Sequence, residues 1–334
     1  MATMYPGTRY DEKRDWLLPQ GVVARDLANH LLFPRSKRDS RAAAFDELAG
    51  NTTLGVHLSQ IAPGSTKRGH RHVDEALIYI VTGHGWSEMA QADHTVVQKV
   101  PWKAGDMIAI PSNAWHQHFN SDPDNPSLQL AFKNTRVLRR LFGSRDFVYA
   151  NEHRFSSRYG DEPDYWTLRE TLPDGRTRTN LLASLVDEPL EADPRLGRNV
   201  SARRYAMGGH LMLDAAIVEI GRRGHVRAHR HLAEEALYVL SGAGRTVMTA
   251  EDGRELTVEW RAGDLICPPL GLLHMHLCEG HEPARLLVVR NAFLQSALGM
   301  DRTISDPALP DRFPSLTEPD YSGADLGASA LLEP

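Results

Sequence analysis

At 334 residues, with 41% hydrophobic and 24% charged side chains, the chain has the composition of an ordinary globular protein long enough for two domains. A formal net charge of -5, with no basic run interleaved with aromatics, gives no reason to expect nucleic acid. Cys267 and Cys278 cannot form a disulfide framework. No apolar stretch approaches the roughly 20 residues of a membrane span, and Met1–Trp16 contains no apolar signal core. A cytoplasmic protein is expected.

Taken in chain order, Val22–Leu32 and Arg41–Leu48 carry apolar residues at helical spacing. From Thr52 the period becomes two, with Leu54, Val56 and Leu58 alternating with Gly55, His57 and Ser59. Strand-like runs follow at Leu77–Val81, His94–Lys99, Met107–Ile110, Trp115–Phe119 and Leu128–Phe132, many of them separated by Gly, Pro, Asn or Asp. Val137–Phe142 reads as helical, inside a polar, turn-rich connector. The two-residue period resumes at Leu211–Ile220 and continues to Leu286–Val289. From Asp301 the prolines 307, 310, 314 and 319 suggest an extended arm or loose tail.

Two parts of the chain repeat. His70-Arg71-His72 and His229-Arg230-His231 open ungapped blocks running to Gly85 and Gly244, in which seven of sixteen paired positions are identical. Glu75 pairs with Glu234, Tyr79 with Tyr238, and Gly83 with Gly242. Downstream, Gly105-Asp106, Pro111 and His116 are matched by Gly263-Asp264, Pro269 and His274. Asp106 and Asp264 suit the turns expected there.

These paired motifs resemble the cupin superfamily. Gly64, His70, His72, Gly83, Gly105, Pro111, His116 and Asn120 fit its two motifs in the first copy. His229, His231, Glu235, Gly242, Gly263, Pro269, Gly271 and His274 fit them in the second. The resemblance implies an all-β bicupin: two jelly-roll β-barrels with short helical N-terminal and connector segments. The expected divisions are an N-terminal extension (1–50), a first barrel (51–135), a connector (136–205), a second barrel (206–298) and a tail (299–334). It implies metal ligands at His70, His72 and His116 in the first barrel, and at His229, His231, Glu235 and His274 in the second. The first barrel resembles gentisate 1,2-dioxygenase and related ring-cleaving enzymes more specifically. The residues that carry this are His70-Arg71-His72, Ala76-Leu77 and Trp115-His116-Gln117-His118-Phe119-Asn120. Two departures stand out: Ile78 replaces an arginine that contacts the substrate carboxylate in those enzymes, and the second ligand set is complete where theirs is degraded. Pairing into a homo-oligomer is also an expectation of the resemblance.

Residues two apart on a strand share a face, so His70 and His72 point together, and Glu235 keeps the parity of His229 and His231. Ala76 stands at the equivalent position of the first copy, while Glu75 has the wrong parity to replace the lost carboxylate. Three imidazoles leave an octahedral ion three open positions, enough for a chelating substrate and O2, as in non-haem Fe(II) oxygenases. Mn, Ni or Zn are alternatives, above all at the second site. No Gly-rich phosphate loop signals an organic cofactor. His118, two residues beyond His116, is the candidate acid/base. Cys278 reads as a small buried hydrophobe, Trp115 as packing outside, His84 and His94 as surface residues, and Arg71 and Arg230 as outward-facing. The expected activity is a metal-dependent dioxygenase acting on a small aromatic or other oxygen-chelating compound with O2. The alternatives are a non-redox or decarboxylating metalloenzyme working at the second site, and a non-enzymatic small-molecule-binding bicupin.

Overall fold

The computed structural model describes residues 21–91, 96–160, 162–250, 253–278, 280–300 and the backbone of 303–305. The first barrel consists of two sheets. One holds seven strands in the spatial order Leu181–Leu182, Met107–Ile110, Ala76–Thr82, Ser127–Lys133, Gly55–Ile61, Ser40–Ala44 and Phe33–Arg35. The other holds four, Thr66–His70, Trp115–Asn120, His84–Ala90 and Val97–Lys103. In the second barrel an 18-residue strand, Asp214–His231, joins both faces. It pairs first with Gly197–Met207 and Ala284–Arg290, then turns through register shifts to meet Leu273–Leu277.

The expected strands are present, while the first fifty residues differ from their helical spacing. Val23–Ala24 and Ser40–Ala44 are strands, and the intervening turns are short 3-10 segments. Pairing with Gly55–Ile61 bonds the backbone of Ser40–Ala44 and fully buries Ala42, Ala43 and Ala44, which outweighs local helix preference. Sheet pairing thus begins at Val23, inside the segment read as an extension, and at Arg169, inside the segment read as a connector. The helix Thr135–Phe142 lies where one is expected. Of the proline-rich end, only Thr303–Ser305 is described; its backbone pairs with His229–His231.

The seven-stranded sheet of the first barrel has two buried faces. Val56, Leu58, Leu77, Tyr79, Leu130 and Phe132 join a core shared with Ala215, Ile217, Tyr238, Leu287 and Val289 of the second barrel. The opposite parity faces into the first barrel, where His57, Ser59, Ile78, Gln129, Ala131 and Lys133 line a cavity. The inward set therefore includes His57, while Val56 and Leu58 face the other barrel.

The barrels also exchange edge strands. Val23–Ala24, which precedes the first barrel, pairs with Leu265–Ile266 of the second. Leu181–Leu182, which lies between the second-barrel strands Thr177–Thr179 and Gly197–Met207, pairs with Met107–Ile110 of the first. The turn aspartates fix both crossings: Asp264 accepts from the Asp26 backbone N–H at 2.9 Å, and Asp106 from that of Ser184 at 2.9 Å. Among the described residues, no helix is long and apolar enough to cross a membrane.

Candidate metal centres and the N-terminal cavity

His70 ends the strand Thr66–His70, His72 follows it, and His116 lies on the neighbouring strand in register with His70. Their ligand nitrogens lie within 4.8 Å of one another. His72 directs Nδ1 at the Asp74 carbonyl (2.9 Å), and His116 directs Nδ1 at the Ala114 carbonyl (3.0 Å). Such contacts fix the tautomer and aim Nε2 into the site. Burial, then repulsion from neighbouring histidines and cations, holds His70 and His116 well below the ordinary imidazole value. Burial and Lys133 do the same to His72. All three are neutral near pH 7, as metal ligands must be.

The second cluster repeats this geometry and adds a carboxylate. His229, His231, Glu235 and His274 converge within the same 4.8 Å. The Nδ1 atoms of the three histidines face the carbonyls of Arg227, Ala233 and Leu272, each at 2.8 Å. His274 Nε2 and His231 Nε2 lie 3.1 and 3.4 Å from Glu235 carboxylate oxygens. Burial works to raise the Glu235 pKa, but His231 and His274 together hold it well below the usual carboxylate range. His231 Nε2, His274 Nε2 and Glu235 Oε1 are buried and lack well-formed hydrogen bonds. Three buried polar atoms that converge on one another without well-formed hydrogen bonds are what a bound cation would satisfy, so this donor set fits a metal ion.

The two centres differ in what surrounds them. The first cluster opens onto a cavity of about 610 Å³, lined by nine lysine and arginine side chains and one carboxylate, Asp46. The Arg38 guanidinium lies 2.8 Å from His70 Nε2, and Lys133 Nζ lies 3.0 Å from His72 Nε2. Lys133 also sits 3.7 Å from the buried Asp74 carboxylate. Burial lowers Arg38 to about 9 and Lys133 to about 8. A dication bound by three neutral imidazoles would meet these charges, so an anion in the cavity would favour its binding. Around the second cluster, a smaller cavity of about 360 Å³ reaches only His231 of the four clustered residues.

His118 lines the larger cavity, its ring 5.5 Å from that of His116. Its Nδ1 shares a 2.7 Å hydrogen bond with Ser87 Oγ, which accepts from Trp102 Nε1 at 3.0 Å. His276, Thr246 and Trp260 reproduce this trio in the second barrel at 2.8 and 3.0 Å. The Glu75 carboxylate points away from the first cluster and accepts from the Leu211 backbone N–H at 2.6 Å. Arg71, expected to face outward, borders the cavity mouth, because the chain leaves its strand after His70. Trp115 packs over Gly69, where an added Cβ would meet its ring at 2.5 Å. Cys278 is fully buried in the second core and donates to the Glu282 carbonyl. His84 is exposed, and His94 lies outside the described residues. Arg38, Lys67, Lys133, Ser59 and Gln129 carried no motif signal, since isolated polar residues on alternating strands read as solvent-facing.

The family model for the cupin domain matches residues 57–128 and 216–290, one stretch in each barrel. The chain thus carries two regions that match the cupin domain. Over 77 residues it is 35% identical to gentisate 1,2 dioxygenase 1 of Aquipseudomonas alcaligenes, covering 23% of this chain and 20% of that protein. A 5-aminosalicylate 1,2-dioxygenase of Comamonas sp is 24% identical over 98 residues, covering 29% of this chain and 24% of that protein. The matches thus span a quarter or less of these curated relatives. Among solved structures, salicylate 1,2-dioxygenase of Pseudoaminobacter salicylatoxidans in its gentisate adduct superposes with a TM-score of 0.61 at 18% identity, covering 85% of this chain and 84% of that one. A mutant oxalate decarboxylase of Bacillus subtilis gives 0.55 at 16% identity, covering 86% and 80%. At such identities the likeness to both structures is one of fold.

Proposed function

We propose that the chain is a metal-dependent dioxygenase, with ferrous iron held by His70, His72 and His116. It would act with O2 on a small aromatic or other oxygen-chelating substrate. The carrying observation is a three-imidazole cluster, free of carboxylate, opening directly onto the 610 Å³ cavity. Iron there would supply the redox chemistry that lets an electron-rich chelating substrate react with O2 without an organic cofactor. Arg38 and Lys133 favour the deprotonated form of a substrate hydroxyl brought beside them. His118, which borders the cavity with its ring 5.5 Å from that of His116, would take up that proton. Ile78 and Ala131 supply apolar wall for the substrate body. Oxygen uptake on a substrate panel should depend strictly on ferrous iron and disappear in His72→Ala. Uptake unchanged in that variant would refute the site assignment.

The convergent donor set of the second cluster, a carboxylate among three histidines, favours a second reading, non-redox or decarboxylating chemistry with Mn, Zn or Ni at His229, His231, Glu235 and His274. Full activity surviving Glu235→Ala would count decisively against it.

A further inference from the structure

Strand register allows the two barrels to be compared position by position. Lys67 lies opposite His118, and Val226 lies opposite His276. Gln129 lies opposite Ser59, and Leu286 opposite Val218. So Lys67, Ser59 and Gln129 of the first barrel occupy the positions of Val226, Val218 and Leu286 in the second. The fold is satisfied by apolar residues at all three, so their polarity in the first barrel needs another explanation.

All three border the large cavity. Lys67 is 5% exposed; its ammonium bonds the Ser59 hydroxyl at 2.8 Å, and no carboxylate pairs with it among the described residues. Burial, then repulsion from Arg38, Arg35 and Lys133, lowers its pKa well below the ordinary lysine value. Gln129 is 1% exposed, and neither its amide nitrogen nor its amide oxygen has a hydrogen-bond partner among the described residues. A buried lysine with no carboxylate partner, bonded to Ser59, and an unsatisfied buried amide opposite that serine are costly in a folded protein and call for a compensating ligand. The three groups are displaced along the strands from the histidine cluster. Lys67 precedes His70 by three residues and Gln129 precedes Lys133 by four, about 10 and 13 Å of strand.

We propose that the N-terminal cavity takes an organic dianion. Its chelating oxygens would lie at the His70, His72 and His116 cluster beside Arg38 and Lys133, with a carboxylate at its remote end held by Lys67, Ser59 and Gln129. The proposal rests on the reading of this cavity as the substrate site. The Lys67 ammonium and the Gln129 amide N–H donate to the remote carboxylate, with the Ser59 hydroxyl as a third donor. The Gln129 amide oxygen accepts from a hydroxyl or amine on the ligand body. One ammonium and two neutral donors suit the single charge of a carboxylate.

The test uses the full-length chain with its metal content measured. Linear dicarboxylates from succinate to adipate, and monocarboxylates of matching length, serve as probes in calorimetric titration. At least one dicarboxylate should bind ten-fold or more tightly than its monocarboxylate counterpart. Lys67→Val and Gln129→Leu, each copying the second barrel, should abolish and weaken that preference while leaving metal per chain unchanged. Lys67→Val should also raise the melting temperature of the ligand-free protein, whereas loss of a merely structural lysine would lower it. Equal binding of both probe classes by the wild type, or a preference retained in Lys67→Val, overturns the proposal. Binding is read without turnover. A dicarboxylate preference without oxygen uptake would therefore leave the subsite standing and remove the dioxygenase reading; uptake without the preference would do the reverse.

Discussion

Glu75 and Glu234 clamp the two barrels reciprocally. Glu75, in the first barrel, accepts backbone N–H groups of Leu211, Met212 and Leu213 from the second. Glu234, in the second, accepts those of Thr52, Thr53 and Leu54 from the first, together with the Thr52 hydroxyl. Asn134 and Asn291 each turn a side-chain oxygen to the backbone N–H of the neighbouring glutamate, both at 2.9 Å. Tyr79 and Tyr238 face one another in the shared core, ring centres 5.1 Å apart. The recurrence of Glu, Tyr and Gly in both sequence blocks is thus explained by the interface and the turns, while the histidines serve the interiors.

Truncating one clamp should loosen both barrels without touching either histidine cluster. Glu234→Ala leaves the buried Leu54 N–H unpaired and exposes neighbouring donors, so a loss of about 2–3 kcal/mol is expected. Denaturant titration measures it, and metal per folded chain should be unchanged.

Gly85 packs so tightly that an added Cβ would lie 1.9 Å from the Phe119 carbonyl oxygen. Phe119 belongs to the strand that also carries His116 and His118. Gly85→Ala should therefore displace that strand and release metal from the first cluster selectively, read by elemental analysis of the folded protein. Retention of wild-type metal content would contradict this.

Removing Glu235 takes away the only carboxylate of the second cluster and leaves three neutral imidazoles. Metal affinity there should fall by at least about 10–100-fold, the penalty already seen when a ligand merely loses its supporting partner. Against a competing chelator, Glu235→Ala should lose the second ion and His72→Ala the first, with the double variant losing both.

Lys67 has a lowered pKa in the folded chain, so the unfolded chain binds more protons between that value and about 10.5. Its burial penalty is therefore fully present below the folded value and disappears as pH rises through the alkaline range. The stability advantage of Lys67→Val over the ligand-free wild type should accordingly shrink toward pH 10, as followed by thermal unfolding. A gap that is constant or widens with pH would show that Lys67 is not buried as a cation.

Much of the sheet architecture is legible in the sequence, because Ser127–Lys133 alternates apolar and polar residues and Met107–Ile110 and Trp115–Asn120 are short runs set off by Gly, Pro and Asn or Asp. The histidine clusters are legible because two copies present them in the same order. The cavity lining is not. Leu128-Gln129-Leu130-Ala131-Phe132-Lys133 reads as a strand with one face in solvent, yet that face lines a buried pocket and the other meets the second barrel. Alternation distinguishes the faces and is silent on what each one meets. The usable signal lay in the copies themselves, since Lys67 precedes His70 by the same interval as Val226 precedes His229. The N-terminal strands were hidden for a related reason: their partners are distant, and short alanine-rich segments take the conformation their neighbours impose.

The exchanged edge strands mean that neither barrel is a self-sufficient folding unit. A chain cut in the connector between Ala150 and Leu168 would yield two fragments, each carrying a strand that belongs in the other's sheet. Such fragments should be poorly soluble when expressed apart and should recover native structure when expressed together, as a split protein does on reassembly. The chain is organised as a fused pair of interlocked halves. In such a pair, one half can set a carboxylate-free histidine cluster beside a charged pocket while the other holds a cluster that includes a carboxylate.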